Sequence, residues 1–264
     1  MDIVVCIKQV PDPEQFSKIT LDPVRGTIKR EGIPSVMNPL DKHAIEEALI
    51  IREKFGGKVT ALSMGPTQAK EVLQEALAMG VDDAVLLCDR SLGGADSLAT
   101  AYPLADAIRH IGKFDVILCG NETVDGATAQ VGPQIAEFLE IPHVTHATAI
   151  EFTSEKAWTV KRAIERGYLR VVLELPALIT VLKEINHPRL PSVIDIMSAA
   201  SKQINEWGCA NLSLAAPIIG LGGSPTKVVG SFEQDIKRGK DILKGPEVEV
   251  AKKAIRRLKE LGAL

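Results

Sequence analysis

The sequence predicts an α/β protein built around a mostly parallel, doubly wound sheet, with an antiparallel hairpin excursion and a C-terminal helical arm. Three observations lead to this prediction. Short β-branched runs alternate with helical periodicity, the alternation stops near residue 145, and a Gly-rich stretch precedes one last amphipathic segment. With 264 residues in all, we expect a main domain over residues 1–219 and an arm over residues 220–264.

Four short apolar runs predict strands that are buried on both faces. They are DIVVCIK (2–8), KVTALSMG (58–65), DAVLLCD (83–89) and FDVILCG (114–120). Apolar residues at helical spacing lie between these runs: Ile45, Ala48 and Leu49; Ala69, Val72, Leu73 and Ala76; and Leu98, Ala101, Tyr102, Ala105 and Ile108. This alternation predicts right-handed crossovers that place helices on both faces of a parallel sheet.

Beyond residue 145 the strand-length segments follow one another directly. ATAIEFT, AWTVKRAIERGYLRVVLEL and PALITVLK leave no room for crossover helices between them. We therefore expect an antiparallel excursion before the final strand.

The stretch IIGLGGSPTKVVG, residues 218–230, mixes Gly, Pro and Ser and is interpreted as a linker. Its GLGG segment, residues 220–223, has a superficial likeness to a dinucleotide fingerprint. We reject that interpretation, because Pro225 lies too close for a following helix and a single match of this kind is weak.

The last segment, GPEVEVAKKAIRRLKELGAL, predicts a helix with Pro246 at its first position. Its apolar stripe consists of Val250, Ala251, Ala254, Ile255, Leu258 and Leu261. A lone helix of this length is marginal in water, so we expect it to dock on another surface. Two surfaces remain open, the protein's own sheet and a second polypeptide, and the Gly-rich tether favours the second.

Composition limits the function classes. A formal net charge of −3 gives no electrostatic reason to expect nucleic acid. The scattered cysteines form neither a disulfide framework nor a CxxC pair, the N-terminus has no signal-peptide pattern, and no run of eighteen apolar residues occurs. We expect a cytoplasmic protein that is not a membrane protein.

Residues with catalytic or metal-binding potential form no recognisable set. No serine lies in a nucleophile elbow. The histidines show no metal-ligand spacing; they are His43, His110, His143, His146 and His187. Glu122 and Asp125 are more typical of solvated loop carboxylates or helix caps than of an acid/base pair. We assign no catalytic residue and no metal site.

The turn after the fourth predicted strand, GNETVDGATAQVGPQ, is rich in small side chains. Asp125 or Thr128 is positioned to cap a following helix, whose first N–H groups would favour a phosphate. Pro133 lies close to this cap, so the helix start could fall later and the anion site would then be a loop nest. A purely structural alternative, small residues for close packing, also remains open.

Two other predicted strand ends, residues 6–8 and 63–65, should lie at the same sheet edge as this turn. Near them, Asn38 precedes Pro39, which favours an extended conformation, and Asp41 is positioned to cap the next helix. This pattern is either a simple helix start or a site where the Asn38 amide reads a base edge or a ribose.

Six segments together resemble the β (small) subunit of the electron transfer flavoproteins. They are KQVPD (8–12), MNPLD (37–41), ALSMGP (61–66), EALAMGVDDAVLL (75–87), TVDGATAQVGPQIAEFL (123–139) and INHPRLPSV (185–193). The resemblance covers nearly the whole chain in order, and it departs from the family pattern at Leu169, where the family usually has Glu or Gln.

The resemblance implies an adenine-nucleotide-binding, Rossmann-like fold and a heterodimer with a larger α subunit. One FAD would lie between the subunits, and the C-terminal arm would reach across to the partner. The family's nucleotide site falls on Cys6, Asn38, Pro39, Leu40, Asp41, Met64, Gly120, Asn121, Glu122, Thr123, Val124, Asp125, Gly126, Ala127, Thr128, Ala129, Gln130 and Val131. Its partner-recognition loop falls on Ile185, Asn186, His187, Pro188 and Arg189, with Ile185 as the apolar anchor. A Pro-stiffened loop with Ile185 packed on its own domain is the alternative.

The family has two branches that differ in the ligand of this site. In the electron-carrier branch the site holds AMP. In the bifurcating branch it holds a second FAD, which NADH reduces and which passes one electron to the α-subunit FAD and one toward ferredoxin. TVDGATAQVGP and KQVPD are more similar to the bifurcating branch, with an acyl-CoA or 2-hydroxy-acid (lactate-type) dehydrogenase as further partner. A one-flavin carrier and a nucleotide-sensing module of the universal-stress type remain as alternatives.

Overall fold

Strands and helices alternate through the first half of the chain, as the sequence predicts. The structure, a computed structural model, describes residues 1–18, 20–21, 28–29, 34–154, 156–214, 218–227, 229 and 242–263. The strands are β1 (Asp2–Cys6), β2 (Gln9–Pro11), β3 (Thr20–Leu21), β4 (Ile28–Lys29), β5 (Ser35–Met37), β6 (Lys58–Met64), β7 (Asp83–Leu87), β8 (Val116–Gly120), β9 (His143–Glu151), β10 (Ala157–Ile164), β11 (Gly167–Glu174), β12 (Ala177–Val181) and β13 (Ile204–Trp207). The α-helices are α1 (Pro39–Phe55), α2 (Lys70–Met79), α3 (Ser97–Ile111), α4 (Val131–Leu139), α5 (Val193–Ala200), α6 (Gly220–Gly223) and α7 (Glu247–Glu260).

The main sheet has the strand order β11-β10-β9-β12-β8-β1-β6-β7-β13. Strands β9, β12, β8, β1, β6, β7 and β13 run parallel to one another, whereas β10 pairs antiparallel with both β9 and β11. The predicted parallel sheet and its antiparallel excursion are therefore confirmed. The tight turn between β10 and β11 has Gly167 at φ 115°, a conformation that suits glycine.

Helices cover both faces of this sheet. Because side chains alternate along a strand, Ile3 and Val5 face the core that contains α1 and α2. Val4 and Cys6 face the opposite core, which contains α3 and α4. The apolar runs predicted as strands are thus buried on both sides, which is the burial that their composition requires.

Two elements near the end of the sheet were missed by the sequence reasoning. Strand β13 lies in the polar stretch near residue 205, and its Asn205 and Glu206 are exposed. Only its parallel pairing with β7 makes it a strand. Helix α5 begins at a capping box in which the Ser192 hydroxyl accepts from the Asp195 N–H and the Asp195 carboxylate accepts from the Ser192 N–H.

The chain divides into two compact units, Met1–Val229 and Gly230–Leu264. The sequence placed the boundary between residues 219 and 220. The linker interpretation is wrong for Gly220–Gly223, because α6 packs against α3 in the first unit. In the second unit α7 forms as predicted, with Pro246 as the N-cap instead of the first helical residue. Residues 230–241 of the predicted arm lie outside the described residues. None of the described helices combines the length and the apolar character that crossing a bilayer requires.

Candidate ligand-binding site

A cavity of about 880 Å³ lies beyond the carboxyl ends of β1, β6, β7 and β8. This is the sheet edge at which parallel α/β sheets bind ligands. Of the predicted nucleotide-site residues, Cys6, Asp41, Met64, Gly120, Asn121, Glu122, Thr123, Gly126, Thr128, Ala129, Gln130 and Val131 line the cavity. The cavity lining does not include Asn38, Pro39, Leu40, Val124, Asp125 or Ala127.

One whole wall of the cavity was missed. It consists of the end of β7 and the loop into α3, and its lining residues include Leu87, Cys88, Asp89, Arg90, Leu92, Gly93, Gly94, Ala95, Asp96, Ser97 and Thr100. The signal was present, because DAVLLCD was predicted as a strand parallel to the other three. Its carboxyl end therefore had to reach the same edge, and the loop DRSLGGADS follows it.

The turn after β8 has left-handed residues and leads into a helix, and we call its residues 128–130 the nest. Ala127 and Ala129 have φ values of 48° and 52°, a left-handed conformation that is uncommon for residues other than glycine. Helix α4 begins only at Val131, with Gln130 as the N-cap, so the predicted caps Asp125 and Thr128 are wrong. The left-handed residues interrupt the helix before that point. Backbone that alternates between left- and right-handed conformations presents its N–H groups to one side and favours an anion.

Two helix N-termini meet at this cavity. Ser97 and Thr100 in the first turn of α3 line one wall, and Val131 and Gly132 in the first turn of α4 line another. The Ser97 hydroxyl donates to the Gln130 Oε1 over 2.9 Å and so joins the two walls. Helix α4 has no side-chain cap, so its first-turn N–H groups and the positive end of its dipole are available to a phosphate-bearing ligand, whereas the Asp96 carboxylate already caps α3.

Gly132 explains part of the small-residue pattern by packing. A Cβ at this position would lie 2.7 Å from the Thr180 Cγ2 and 3.1 Å from the Cys119 Sγ. A side chain here would push α4 away from the ends of β8 and β12. At Gly126 the nearest atom to such a Cβ is the Thr123 Oγ1 at 3.3 Å, so close packing does not account for the whole turn.

Asn38 and Asp41 form a brace below the cavity. The Asp41 carboxylate accepts from the Lys8 N–H (2.8 Å), the Gly120 N–H (3.2 Å) and the Asn38 Nδ2 (3.0 Å). Asn38 also donates to the Glu122 carbonyl (3.0 Å) and accepts from the Val124 N–H (3.2 Å). The prediction that Asp41 caps α1 is wrong, because its carboxylate turns toward the strand ends and the helix has no side-chain cap. The Asn38 amide is likewise used within the chain, which favours a scaffold role over base reading.

Burial controls the charges in this brace. It raises the pKa of Asp41 to about 7, although hydrogen bonds from Asn38, Lys8 and Gly120 act in the opposite direction. Burial and the neighbouring Asp41 raise the pKa of Cys6 to about 12, and burial raises the pKa of Cys119 well above its ordinary value. Both thiols are therefore protonated and unreactive at neutral pH.

Comparison with known proteins identifies the family of this chain. Residues 25–211 match the model of the electron transfer flavoprotein domain. The chain is 45% identical over 260 residues to the "Electron transfer flavoprotein subunit beta" of Clostridium acetobutylicum, and the match covers 98% of each chain.

The chain belongs to the electron transfer flavoprotein family, as a β subunit.

Two further relatives have more specific names. The "Caffeyl-CoA reductase-Etf complex subunit CarD" of Acetobacterium woodii is 45% identical over 262 residues, with 98% of each chain covered. "Protein FixA" of Sinorhizobium fredii is 41% identical over 263 residues, covering 97% of this chain and 90% of the relative. The family resemblance inferred from six short segments is thus confirmed along the full β subunit.

An ion pair joins two of the loops around the ligand cavity of this β subunit. The Lys8 ammonium lies 2.7 Å from the Asp125 carboxylate, whose side chain is 5% exposed. Lys8 itself lines the cavity, and its backbone is fixed by Asp41 and Asn38. No local sequence pattern predicts a contact between residues so far apart in the chain. The pair ties the turn after β8 to the end of β1.

A polar network extends from the cavity into the neighbouring strands. Asn121 is buried, lines the cavity and accepts from the Thr180 hydroxyl over 2.8 Å. The His146 N–H donates to the Asn121 Oδ1 over 3.3 Å. His146 itself has a left-handed φ of 60°. These contacts hold Asn121 in place, so we regard His146 and Thr180 as support for the cavity wall.

The predicted partner-recognition loop is partly held by its own subunit. Ile185 is half-buried and packs on the main core. Asn186 donates to the His43 carbonyl and to Glu47, each over 3.0 Å, and Arg189 pairs with Glu46 and Glu53 on α1. His187 is exposed and Pro188 half-buried.

The outward apolar surface begins just after this loop. Leu190 is 93% exposed, and the exposed apolar side chains of α5 are Val193, Ile194, Ile196 and Met197. The assignment of Ile185 as an anchor is therefore less well supported than its alternative, a side chain packed on its own domain. Several large exposed apolar side chains on neighbouring residues are typical of a protein interface.

Proposed function

We propose that this β subunit binds FAD in the cavity beyond β1, β6, β7 and β8. With an α subunit it would act in flavin-based electron bifurcation between NAD(H), a flavin-dependent dehydrogenase and ferredoxin. The observation that carries the proposal is the meeting of the nest with the uncapped first turn of α4 at one cavity, which the first turn of α3 also lines. Uncapped helix N–H groups beside a turn of this kind favour a phosphate group.

The residues of the chain have distinct tasks in this proposal. Backbone N–H groups of the nest and of the α4 start would bind the diphosphate, and the cavity near Cys6 would take the adenine end. The brace of Asn38 and Asp41 fixes the strand ends from below. The bound flavin itself supplies hydride and single-electron chemistry, while the protein tunes it by charge and hydrogen bonds.

The size and extent of the cavity favour FAD over AMP. Its volume of about 880 Å³ lies near the top of the range of roughly 300–1,000 Å³ typical of small-molecule sites. It also continues past the α4 start to the end of β7, where Cys88 and Arg90 line it. This space lies beyond what a mononucleotide phosphate at the nest would need. AMP in a one-flavin carrier remains the second candidate.

The partners follow from the family and from two exposed surfaces. We propose an α subunit as the heterodimer partner, with α7 docking on it, since no residue of α7 is buried. We propose an acyl-CoA or 2-hydroxy-acid dehydrogenase and ferredoxin as further partners, in the cytoplasm. The name of the Acetobacterium woodii relative associates that protein with a reductase complex, which supports an oxidoreductase partner here.

Flavin and nucleotide quantification after co-purification with the α subunit tests the proposal. We expect about two FAD per heterodimer. One FAD with one AMP would instead indicate the one-flavin carrier, and a colourless protein that binds ATP alone would indicate a nucleotide sensor.

A single substitution tests whether this chain binds one of the two flavins. In Gly132→Val the new side chain meets Thr180 and Cys119 and displaces the first turn of α4. We expect it to lose one of the two flavins and to keep the other. If both flavins remain at full occupancy, the cavity described here is not the site of the second flavin.

A further inference from the structure

The Gly-rich segment 220–226 packs directly behind the cavity wall that the sequence reasoning missed. We call residues 220–226 the strap, and residues 93–97 the α3 wall. The α3 wall lines the cavity, whereas no strap residue does. The strap is thus one layer removed from any ligand, and its role in binding would have to be exerted through the wall.

Glycine is required where the strap meets its neighbours. Gly220 has a φ of 58°, and a Cβ there would lie 2.0 Å from the Ser91 carbonyl oxygen. Gly94 of the α3 wall has a φ of 72°, and a Cβ there would lie 3.2 Å from the Leu221 Cβ. Gly222 has no atom within 4 Å of such a Cβ. The GLGG pattern, which is not a dinucleotide fingerprint, is therefore explained at Gly220 by contact between two backbones.

Hydrogen bonds fasten the strap to the α3 wall. The Leu221 N–H donates to the Gly93 carbonyl over 3.0 Å. The Asp96 N–H donates to the Ser224 hydroxyl over 2.8 Å, and Ser224 is 5% exposed. The Thr226 N–H donates to the Asp96 Oδ2 over 2.9 Å. Ser224 in turn donates to the Gly220 carbonyl over 2.8 Å, which closes the strap on itself.

Asp96 connects these contacts to the cavity. Its Oδ1 accepts from the Ala99 N–H over 3.0 Å and so caps α3. The next residue, Ser97, reaches the Gln130 side chain of the nest. The α3 wall contains two adjacent glycines and is therefore intrinsically free to change conformation. The contacts of the strap supply the constraint that its own sequence lacks.

We propose that the strap is a positioning element of the ligand site, which holds Asp96 and the start of α3 in the orientation that binds FAD. This inference rests on the proposed function. Because the strap touches the wall and not the ligand, it acts on the affinity by holding the α3 wall in place before binding, which lowers the ordering cost of association.

Two alanine variants two residues apart test the proposal in the full-length chain. Titration calorimetry with FAD, and separately with AMP, gives the dissociation constants. In Gly220→Ala the methyl group collides with the Ser91 carbonyl, and we expect binding of FAD to weaken about tenfold or more. In Gly222→Ala the methyl group meets open space, and we expect a change within about twofold. Equal affinities in the two variants would overturn the proposal.

A second pair covers the case in which Gly220→Ala folds poorly. Ser224→Ala removes the acceptor of the Asp96 N–H, and Ser224→Thr keeps it. We expect weaker FAD binding in the first, recovery in the second, and no change in Ser201→Ala, whose hydroxyl donates to the Ser198 carbonyl on α5. A loss of thermal stability in Ser224→Ala without any loss of affinity would show a merely structural role.

A failure of the proposed function can be distinguished from a failure of the strap proposal. If the unaltered chain binds neither FAD nor AMP, the ligand assignment is wrong. The strap is then judged by hydrogen exchange at the Asp96 and Ala99 amides. Faster exchange in Gly220→Ala than in Gly222→Ala supports the positioning role, and equal exchange contradicts it.

Discussion

Two regions of this β subunit differ in where their side chains find partners. In the brace, the polar groups of Asn38 and Asp41 are bonded within the chain, and both residues are buried. In the surface formed by Leu190 and α5, and separately in α7, large apolar side chains are exposed. The first region is complete in the single chain, whereas we propose that the second binds another chain. Variants in the first should therefore change the stability of the isolated subunit, and variants in the second should change association alone.

The largest effect is expected at Gly120, beneath the cavity. In Gly120→Ala the Cβ would lie 2.4 Å from the Asp41 Oδ1 and 2.8 Å from the Leu40 Cβ, and neither neighbour can withdraw without breaking the brace. We expect the free energy of unfolding to fall by about 3 kcal/mol, as in overpacked cores. Urea unfolding measures this change. Gly222→Ala is the matched control. An equal loss of free energy of unfolding in both variants would contradict the inference that the brace is complete within the chain.

A smaller effect, which depends on pH, is expected at Asp41. Burial raises its pKa to about 7 in the folded chain, from an ordinary value of 3.8. Between these values the folded chain retains a proton that the unfolded chain has released. The contribution of Asp41 to the free energy of unfolding therefore decreases as the pH rises from about 4 to 7, and it is constant above that range.

Asp41→Asn removes this titration. Its amide cannot accept from all three N–H donors, so we expect a loss of about 1–3 kcal/mol at pH 5. We also expect a shallower dependence of stability on pH between 5 and 8. Urea unfolding at several pH values checks both. Asp195→Asn, at an exposed helix start, should leave the slope in this window unchanged. The same slope in Asp41→Asn as in the parent chain would rule out Asp41 as its source.

Sequence reasoning predicted the architecture well because the strands β1, β6, β7 and β8 are apolar on both faces and the helices between them have clear periodicity. Most of the nucleotide-site residues that it predicted line the cavity, since parallel strand ends share one edge, but the wall at the end of β7 was missed. It failed for residues whose conformation depends on contacts with residues far away in the sequence. The Asp41 carboxylate bonds to residues 33 and 79 positions away, so nothing local distinguishes it from a helix cap. Strand β13 and the strap likewise owe their conformation to residues more than a hundred positions earlier.

A modest effect is expected at the boundary between the two regions. Ile185 is half-buried on the core, so Ile185→Ala should lower the free energy of unfolding by about 1–2 kcal/mol, less than a fully buried isoleucine. Leu190 is 93% exposed, so Leu190→Ala should change it by less than about 0.5 kcal/mol.

Binding to the cognate dehydrogenase should show the opposite order. We expect Leu190→Ala to weaken it more than Ile185→Ala, because an exposed apolar side chain is available to a partner and a packed one is not. Surface-immobilised dehydrogenase measures both affinities. A larger loss of affinity in Ile185→Ala would restore Ile185 as the anchor.

The smallest effect on the isolated chain is expected in α7. Ile255 and Leu258 lie on its apolar stripe and are 50% and 41% exposed, and no residue of the helix is buried. Ile255→Ser with Leu258→Ser should therefore leave the thermal stability of the chain unchanged, yet weaken its association with the α subunit at least about tenfold, as the loss of two apolar contacts does. Arg256→Ser, on the polar side of the helix, serves as the control.

Analytical ultracentrifugation of the mixed subunits measures their association. Unimpaired association of the double variant would show that the stripe of α7 does not dock on the α subunit, and a drop in the stability of the chain alone would show that α7 is held by its own subunit.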